Sequence, residues 1–311
     1  MATEAAWKQA DPTGQRVGPI LEVAHAHGTA VALEELSELL PETGPRSAGE
    51  VAEWLSRHPD HGWVDAGLAL SPQAAGPPSG REERRARGRA YLAEAHELVN
   101  GSLARVRGLL RFVGVTGSTA YGEPEPGDDL DFMVVTRPGS VWLFLAYTYL
   151  ALRWHRARPP GSAAPPCFNY VLDEEEARRR YSTGRGFLFA REALAARVID
   201  GGEYYRGLLG SAGWIRDELP RLYARWEGPA FPPTPAPTPA PILVRLADAL
   251  VFPWLAAYLQ LAGLVRNHSL ARRGLTERAF RTVTRRRRLA YETLRFEELS
   301  RSYQPPEPGA M

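Results

Sequence analysis

The stretch from Phe112 to Thr136, FVGVTGSTAYGEPEPGDDLDFMVVT, constrains this chain more than any other. An apolar run, Phe112 to Val115, stops at Thr116-Gly117-Ser118. Asp129-Leu130-Asp131-Phe132 follows, and then a second apolar run, Met133 to Val135. This reads as two strands joined by a Gly-Ser turn and a short helix or loop. Side chains alternate along a strand, so Asp129 and Asp131 share one face while Leu130 and Phe132 anchor the other in a core. Carboxylates inside an otherwise apolar run are costly to bury unless something compensates them. Gly117 permits close backbone approach to a ligand, and Ser118 adds a hydroxyl donor. A helix starting there turns free N–H groups toward an anion. Mg²⁺ takes a few carboxylates and completes its shell with water and substrate phosphate, so the residues point to a divalent-metal and phosphate site. The plainer account is a common Gly-Ser turn and a common Asp-Asp loop ending. Either half alone is weak, and the conjunction carries the reading.

The segment resembles the signature of the polymerase β-type nucleotidyltransferase superfamily, an apolar strand, Gly-Ser, a short gap, then Asp-x-Asp between apolar residues. Gly117, Ser118, Asp129 and Asp131 match it position by position. The similarity extends over residues 85 to 220 to bacterial nucleotidyltransferase-domain proteins of largely undefined substrate. It runs through Cys167-Phe168-Asn169-Tyr170 and Phe189-Ala190-Arg191-Glu192. The resemblance implies Mg²⁺-dependent transfer of a nucleoside monophosphate from a nucleoside triphosphate such as ATP to an acceptor, with pyrophosphate released. Gly117 and Ser118 would hold the triphosphate, with Thr116 and Thr119 as secondary contacts, and Asp129 and Asp131 the metal. A third carboxylate usually lies on a neighbouring strand in that superfamily. The strand placed to supply it here, Cys167 to Leu172, offers Asn169. Asn can orient a group but takes no proton at neutral pH. Asp173 and Glu203 are the alternative bases. A non-catalytic nucleotide-sensing or regulatory protein is the competing function.

Residues 1–79 read as a winged-helix-like domain, with helices at Val17–His27, Ala32–Leu40 and Ala48–Arg57 and a hairpin from Trp63 to Leu70. DNA binding through the third helix would need cations facing phosphate. Glu34, Glu35, Glu38, Glu50 and Glu53 argue for a packing module. Residues 80–228 form the nucleotidyltransferase domain. Its first helical stretch, Arg81 to Leu110, is expected to break near Gly88. The arginines at 81, 84, 85, 87 and 89 are either a solvated face or a patch for a phosphate-bearing substrate. Phe187–Val198 and Tyr204–Arg225 read as helices. Residues 229–241, PAFPPTPAPTPAP, form a stiff spacer. Residues 242–311 read as all-helical, with Arg285 to Arg288 in a basic helix offered to nucleic acid, an acidic partner or anionic lipid. The fold class is therefore α+β, a mixed nucleotidyltransferase-type sheet with flanking helices between two further regions.

Formal net charge is +2, so no global affinity for polyanions follows. Cys167 is the single cysteine, which excludes an intramolecular disulfide and a cysteine-based zinc site. The N-terminus lacks a signal-peptide apolar core, and a cytoplasmic location is expected. Val141–Leu152 is too short to span a membrane. Ile242–Val265 carries Arg245, Asp248, Pro253 and Gln260, so a buried or amphipathic helix is expected there and no transmembrane segment.

Overall fold

The structure, a computed structural model, describes residues 12–155, 164–183, 186–227, 236–276, 279–293 and 298–300. Loop residues 159–163, most of the Pro-rich spacer and the tail from Pro305 lie outside them. The chain folds as α+β, with two sheets and flanking helices.

The N-terminal unit runs α1 (Pro12–Ala26), β1 (Val31–Ala32), α2 (Leu33–Leu39), α3 (Ala48–Arg57), β2 (Trp63–Asp65) and β3 (Leu68–Leu70). Its strands form an antiparallel sheet in the order β1-β3-β2. Ser47 starts α3 by accepting from the Glu50 N–H at 3.2 Å, and the Glu50 carboxylate returns to the Arg46 N–H at 2.8 Å. This closely follows a capping box. The Arg221 guanidinium donates to the carbonyls of Ser37, Pro41 and Gly44 at 2.7–2.8 Å, fixing the α2–α3 connection. Val17, Leu36 and Leu55 belong to one continuous buried cluster with Phe112, Tyr205 and Leu209. The unit is thus welded to the rest of the chain.

The second sheet holds β4 (Leu110–Val115), β5 (Leu130–Thr136), β6 (Pro166–Asp173), β7 (Arg197–Asp200), β8 (Phe280–Arg285) and β9 (Arg288–Thr293). Their order is β7-β4-β5-β6-β9-β8, with β5 and β6 parallel and every other pair antiparallel. A parallel pair needs a crossover, and α6 (Val141–His155) supplies it. Phe112, Met133, Val135 and Leu172 face α7 (Glu174–Thr183), α8 (Phe187–Ala195), α9 (Gly202–Gly210), α10 (Gly213–Glu218) and α11 (Pro220–Glu227). Val113, Val115, Phe132, Val134 and Val171 face α4 (Arg81–Asn100), α6 and α12 (Ile242–Arg272).

Several expectations are corrected. α4 runs unbroken through Gly88, because that glycine is needed for contact and not as a breaker. A Cβ there would lie 2.7 Å from the Gly122 carbonyl oxygen. The helix expected over Phe187–Val198 ends at Ala195, and Arg197–Asp200 becomes an edge strand on β4. Tyr204–Arg225 divides into three short helices.

The largest correction concerns residues 242–311. Among the described residues from 242 onward, helix is confined to α12, a single 3-10 residue at 276 and residues 298–300, and Arg285–Arg288 is the tip of the β8–β9 hairpin. β9 pairs with β6, so this region completes the second sheet. Its arginines are largely matched by acids. Arg281 pairs with Glu292, Arg287 with Glu175, Arg286 with Asp248 at 3.0 Å and Arg288 with Glu176 at 3.7 Å. The basic helix expected to meet nucleic acid or an acidic partner is therefore a hairpin tied down by the protein's own carboxylates. Its Thr282-Val283-Thr284 core is β-branched, which favours a strand.

Asp248 explains how an acid sits in the apolar helix α12. It is fully buried and accepts from the Trp142 and Leu143 N–H groups at 2.6 and 3.0 Å, capping α6. A buried or amphipathic helix is expected here; one side of α12 is buried, and the outer side is exposed but apolar. Leu243, Leu250 and Trp254 are 76, 73 and 80 % exposed. By length and composition alone α12 could cross a membrane.

Candidate active site

The signature stretch folds as β4, the short helix α5 (Gly117–Ala120) and β5. Val115 pairs with Phe132, and the Thr116 N–H donates to the Asp131 carbonyl at 3.0 Å. The chain reverses at Gly117, whose φ of +66° is the left-handed region that glycine tolerates. A Cβ at Gly117 would lie 2.7 Å from Asp131 Oδ2, so the turn and the carboxylate are packed directly together. Ser118 Oγ donates to Asp128 Oδ2 at 2.7 Å, and the Glu125 N–H reaches the same oxygen at 2.9 Å. Asp128 thereby closes the loop between α5 and β5.

The arginines of α4 hold this loop from outside. Arg81 and Arg85 pair with Glu123 at 2.5 and 3.5 Å, Arg84 with Glu125 at 3.5 Å, and Arg87 donates to the Pro124 carbonyl at 2.8 Å. Four of the five arginines considered as a phosphate patch or a solvated face thus position the site loop. Arg89 remains exposed beside Glu82.

Asp129 and Asp131 both line one cleft of about 850 Å³. Burial pushes the Asp131 carboxyl up to about 7, and Asp129, Glu192 and Asp128 push it the same way. Glu192, on α8, accepts from Tyr121 Oη at 2.8 Å and from the Gly117 N–H, and burial raises its own pKa. Arg191 lies over the Tyr121 ring at 4.8 Å and reaches Glu35 at 3.0 Å. Asp128 and Glu192 are site residues that the sequence reading missed. Glu192 had a signal, an acid beside Arg191 in the otherwise apolar run FLFAREALA, but its partner is remote in sequence.

The neighbouring strand presents Cys167 opposite Asp131, and Asn169 two residues further on, both facing the cleft. Burial, then Asp131 and Asp129, raise the Cys167 thiol to about 12, so it stays protonated at neutral pH. Asn169 Oδ1 is buried without a hydrogen-bond partner in the protein. Thr116 is the extended residue before α5. None of Thr116, Gly117, Ser118 and Thr119 lines the cleft, and Thr119 is 1 % exposed because the short helix turns it inward.

Asp173 and Glu203 are not placed to act as bases. Asp173 pairs with Thr136, at the opposite end of β5 from Asp131, and accepts from the Glu176 N–H at 2.9 Å. Glu203 follows Asp200, which aligns with Val113, so it too lies away from the Val115 end of the sheet.

Among the described residues no three His, Cys, Asp or Glu side chains form a metal-binding group. Two carboxylates suit Mg²⁺, which keeps several waters and binds substrate phosphate. The donor set fits: hard oxygens share one cleft, and the charges that act most on Asp131 are all negative.

Apolar side chains of α6 and α12, among them Leu145, Leu255 and Leu259, line the same cleft, as does Arg266. No family model, curated protein or solved structure matches the chain.

Proposed function

We propose that this chain is a Mg²⁺-dependent nucleotidyltransferase with a polymerase β-type sheet and a winged-helix-like N-terminal unit. One observation carries the reading: Asp129 and Asp131 share a cleft in which Asp131 packs against the Gly117 turn, with negative charge gathered around it. Bound Mg²⁺ would neutralise that charge and orient the triphosphate. Asp129 and Asp131 would hold the ion, and the Gly117–Ser118 turn would let the phosphates approach the backbone. An acceptor oxygen attacks the α-phosphorus of the nucleoside triphosphate. The bond from that phosphorus to the oxygen bridging to the β-phosphate breaks, and pyrophosphate leaves with the electron pair. The proton of a hydroxyl acceptor passes to solvent, since Asn169 cannot accept it. Asn169 Oδ1 is an acceptor available to orient that hydroxyl. We place the protein in the cytoplasm, where its nucleotide substrate is abundant.

The test is calorimetry of Mg²⁺–ATP binding together with pyrophosphate release from each nucleoside triphosphate. Asp129→Ala with Asp131→Ala should abolish both while the chain stays folded. Unchanged nucleotide affinity in that double variant would sink the assignment.

A second reading, nucleotide sensing without turnover, draws on a specific observation. The Gly117 N–H already serves Glu192 and the Ser118 hydroxyl already serves Asp128. Tight Mg²⁺–nucleotide binding with no pyrophosphate and no labelled product would select it. The N-terminal unit is proposed as a packing module in either reading, because Glu35 and Glu38 are engaged by Arg191 and Arg225 and α3 exposes Glu50 and Glu53.

A further inference from the structure

Among the described residues, most of the exposed large apolar side chains lie on α12. Leu243, Leu246, Leu250, Trp254, Leu261 and Leu264 are each 55–80 % exposed. At 100° per residue they fall within one stripe, as their spacing of three, four and seven dictates. The opposite side, through Asp248, Ala256, Leu259 and Gly263, is buried against the protein. Gln260 donates to Thr284 Oγ1 at 2.6 Å and Asn267 Nδ2 to the Phe280 carbonyl at 2.7 Å, so the helix is fastened along its length to the hairpin. A helix held this way can lie on a bilayer but cannot be surrounded by it.

Two observations choose the occupant. The first is charge. From Ile242 to Arg273 the only acid is Asp248, which is buried, whereas Arg272 and Arg273 are exposed at the C-terminal end. Such a surface complements anionic headgroups. The second is continuity. Tyr149, Leu150 and Tyr258 are 41, 69 and 58 % exposed, and the same three residues line the cleft that ends at Asp129 and Asp131. The exposed apolar surface and the lining of the site therefore share these residues.

We propose that the α12 face rests on an anionic lipid surface, and that the cleft takes from it an amphiphilic acceptor whose polar head reaches Asp129 and Asp131. The apolar body of the acceptor lies between α6 and α12. This rests on the nucleotidyl-transfer reading above and names its acceptor class. An oxygen of the acceptor's head bonds to the α-phosphorus, pyrophosphate departs, and a hydroxyl's proton goes to solvent. The product is a nucleoside monophosphate ester of the amphiphile.

The experiment uses the full chain and the variant Leu250→Gln, Trp254→Gln, Leu261→Gln. These residues are exposed and do not line the cleft, and a thermal melt verifies that the variant is folded. Co-sedimentation is measured with phosphatidylglycerol-containing vesicles and with pure phosphatidylcholine vesicles. α-Phosphate-labelled nucleoside triphosphates and Mg²⁺ are then supplied with vesicles of a bacterial polar lipid extract, and the label is partitioned between organic and aqueous phases.

The wild-type chain should bind the anionic vesicles, with the variant weakened by about tenfold or more. Label should enter the organic phase, and Asp129→Asn should abolish it. Equal vesicle binding by wild type and variant, or none by either, overturns the surface. A dimer that the variant dissolves, with no vesicle binding, overturns it in favour of a second copy. Label confined to a water-soluble product overturns the amphiphilic acceptor and leaves nucleotidyl transfer standing. Vesicle binding with no labelled product from any nucleotide overturns nucleotidyl transfer itself.

Discussion

Asp131→Asn should remove the pH dependence that burial of Asp131 imposes on stability. In the folded chain burial and three neighbouring carboxylates raise the Asp131 carboxyl from 3.8 to about 7. Above the ordinary carboxylate range the unfolded chain has released this proton while the folded chain still holds it. Stability therefore declines as pH rises from about 4 to about 7, and is level above that. Each pKa unit corresponds to about 1.4 kcal/mol, so a shift of about three units sets an upper bound of ~4 kcal/mol on the penalty at pH 8. Asn has nearly the same shape and no charge to bury. The assay is urea unfolding of both proteins at pH 5 and pH 8, with and without Mg²⁺. The variant should gain on wild type by about 1–3 kcal/mol between the two pH values without metal, because part of the penalty is already present at pH 5. Mg²⁺ should restore wild type at pH 8 and leave the variant unchanged. Asp173, whose carboxyl is pushed up to about 6 by burial, titrates in both proteins and drops out of the difference. A difference that does not change with pH, or an equal response of both proteins to Mg²⁺, would refute the argument.

Three further outcomes are expected. Gly117→Ala and Gly127→Ala both place a side chain at positive φ, costing about 1–2 kcal/mol. Only Gly117→Ala also meets Asp131 Oδ2, so calorimetry should show weakened Mg²⁺–nucleotide binding for that variant alone. Glu192→Gln removes one of the carboxylates acting on Asp131 and should lower the Asp131 midpoint in an NMR carboxyl titration. Asp248→Ala deprives two α6 N–H groups and Arg286 of their buried partner. It should cost about 2–4 kcal/mol in chemical unfolding, whereas a cost below ~0.5 kcal/mol would show that α12 is not anchored through this cap.

The parts of this protein that were legible in advance are those governed by local rules. Apolar runs placed β4 and β5, and helical periodicity placed α3. The Gly117 turn and the acids at 129 and 131 needed no knowledge of the rest of the chain, because a tight turn and an i, i+2 pair are set by the backbone itself. The β8–β9 hairpin was read as helix because its arginines masked a strand that becomes stable only by pairing with β6. Gly88 was read as a break for a similar reason, since the Gly122 backbone that it contacts belongs to another element.

Sequence alone thus determined the α+β class, the turn and the paired aspartates. Tertiary structure decided what surrounds them. It brought Glu192 from α8 and Asp128 from the loop to Asp131's neighbourhood, and tied four α4 arginines to the Glu123–Glu125 loop. It also laid α12 beside the cleft with one side buried and the other exposed. Charge and burial act through space between residues far apart along the chain. Their pairing is therefore set by packing, while the local geometry of a strand or turn is already present in a few consecutive residues.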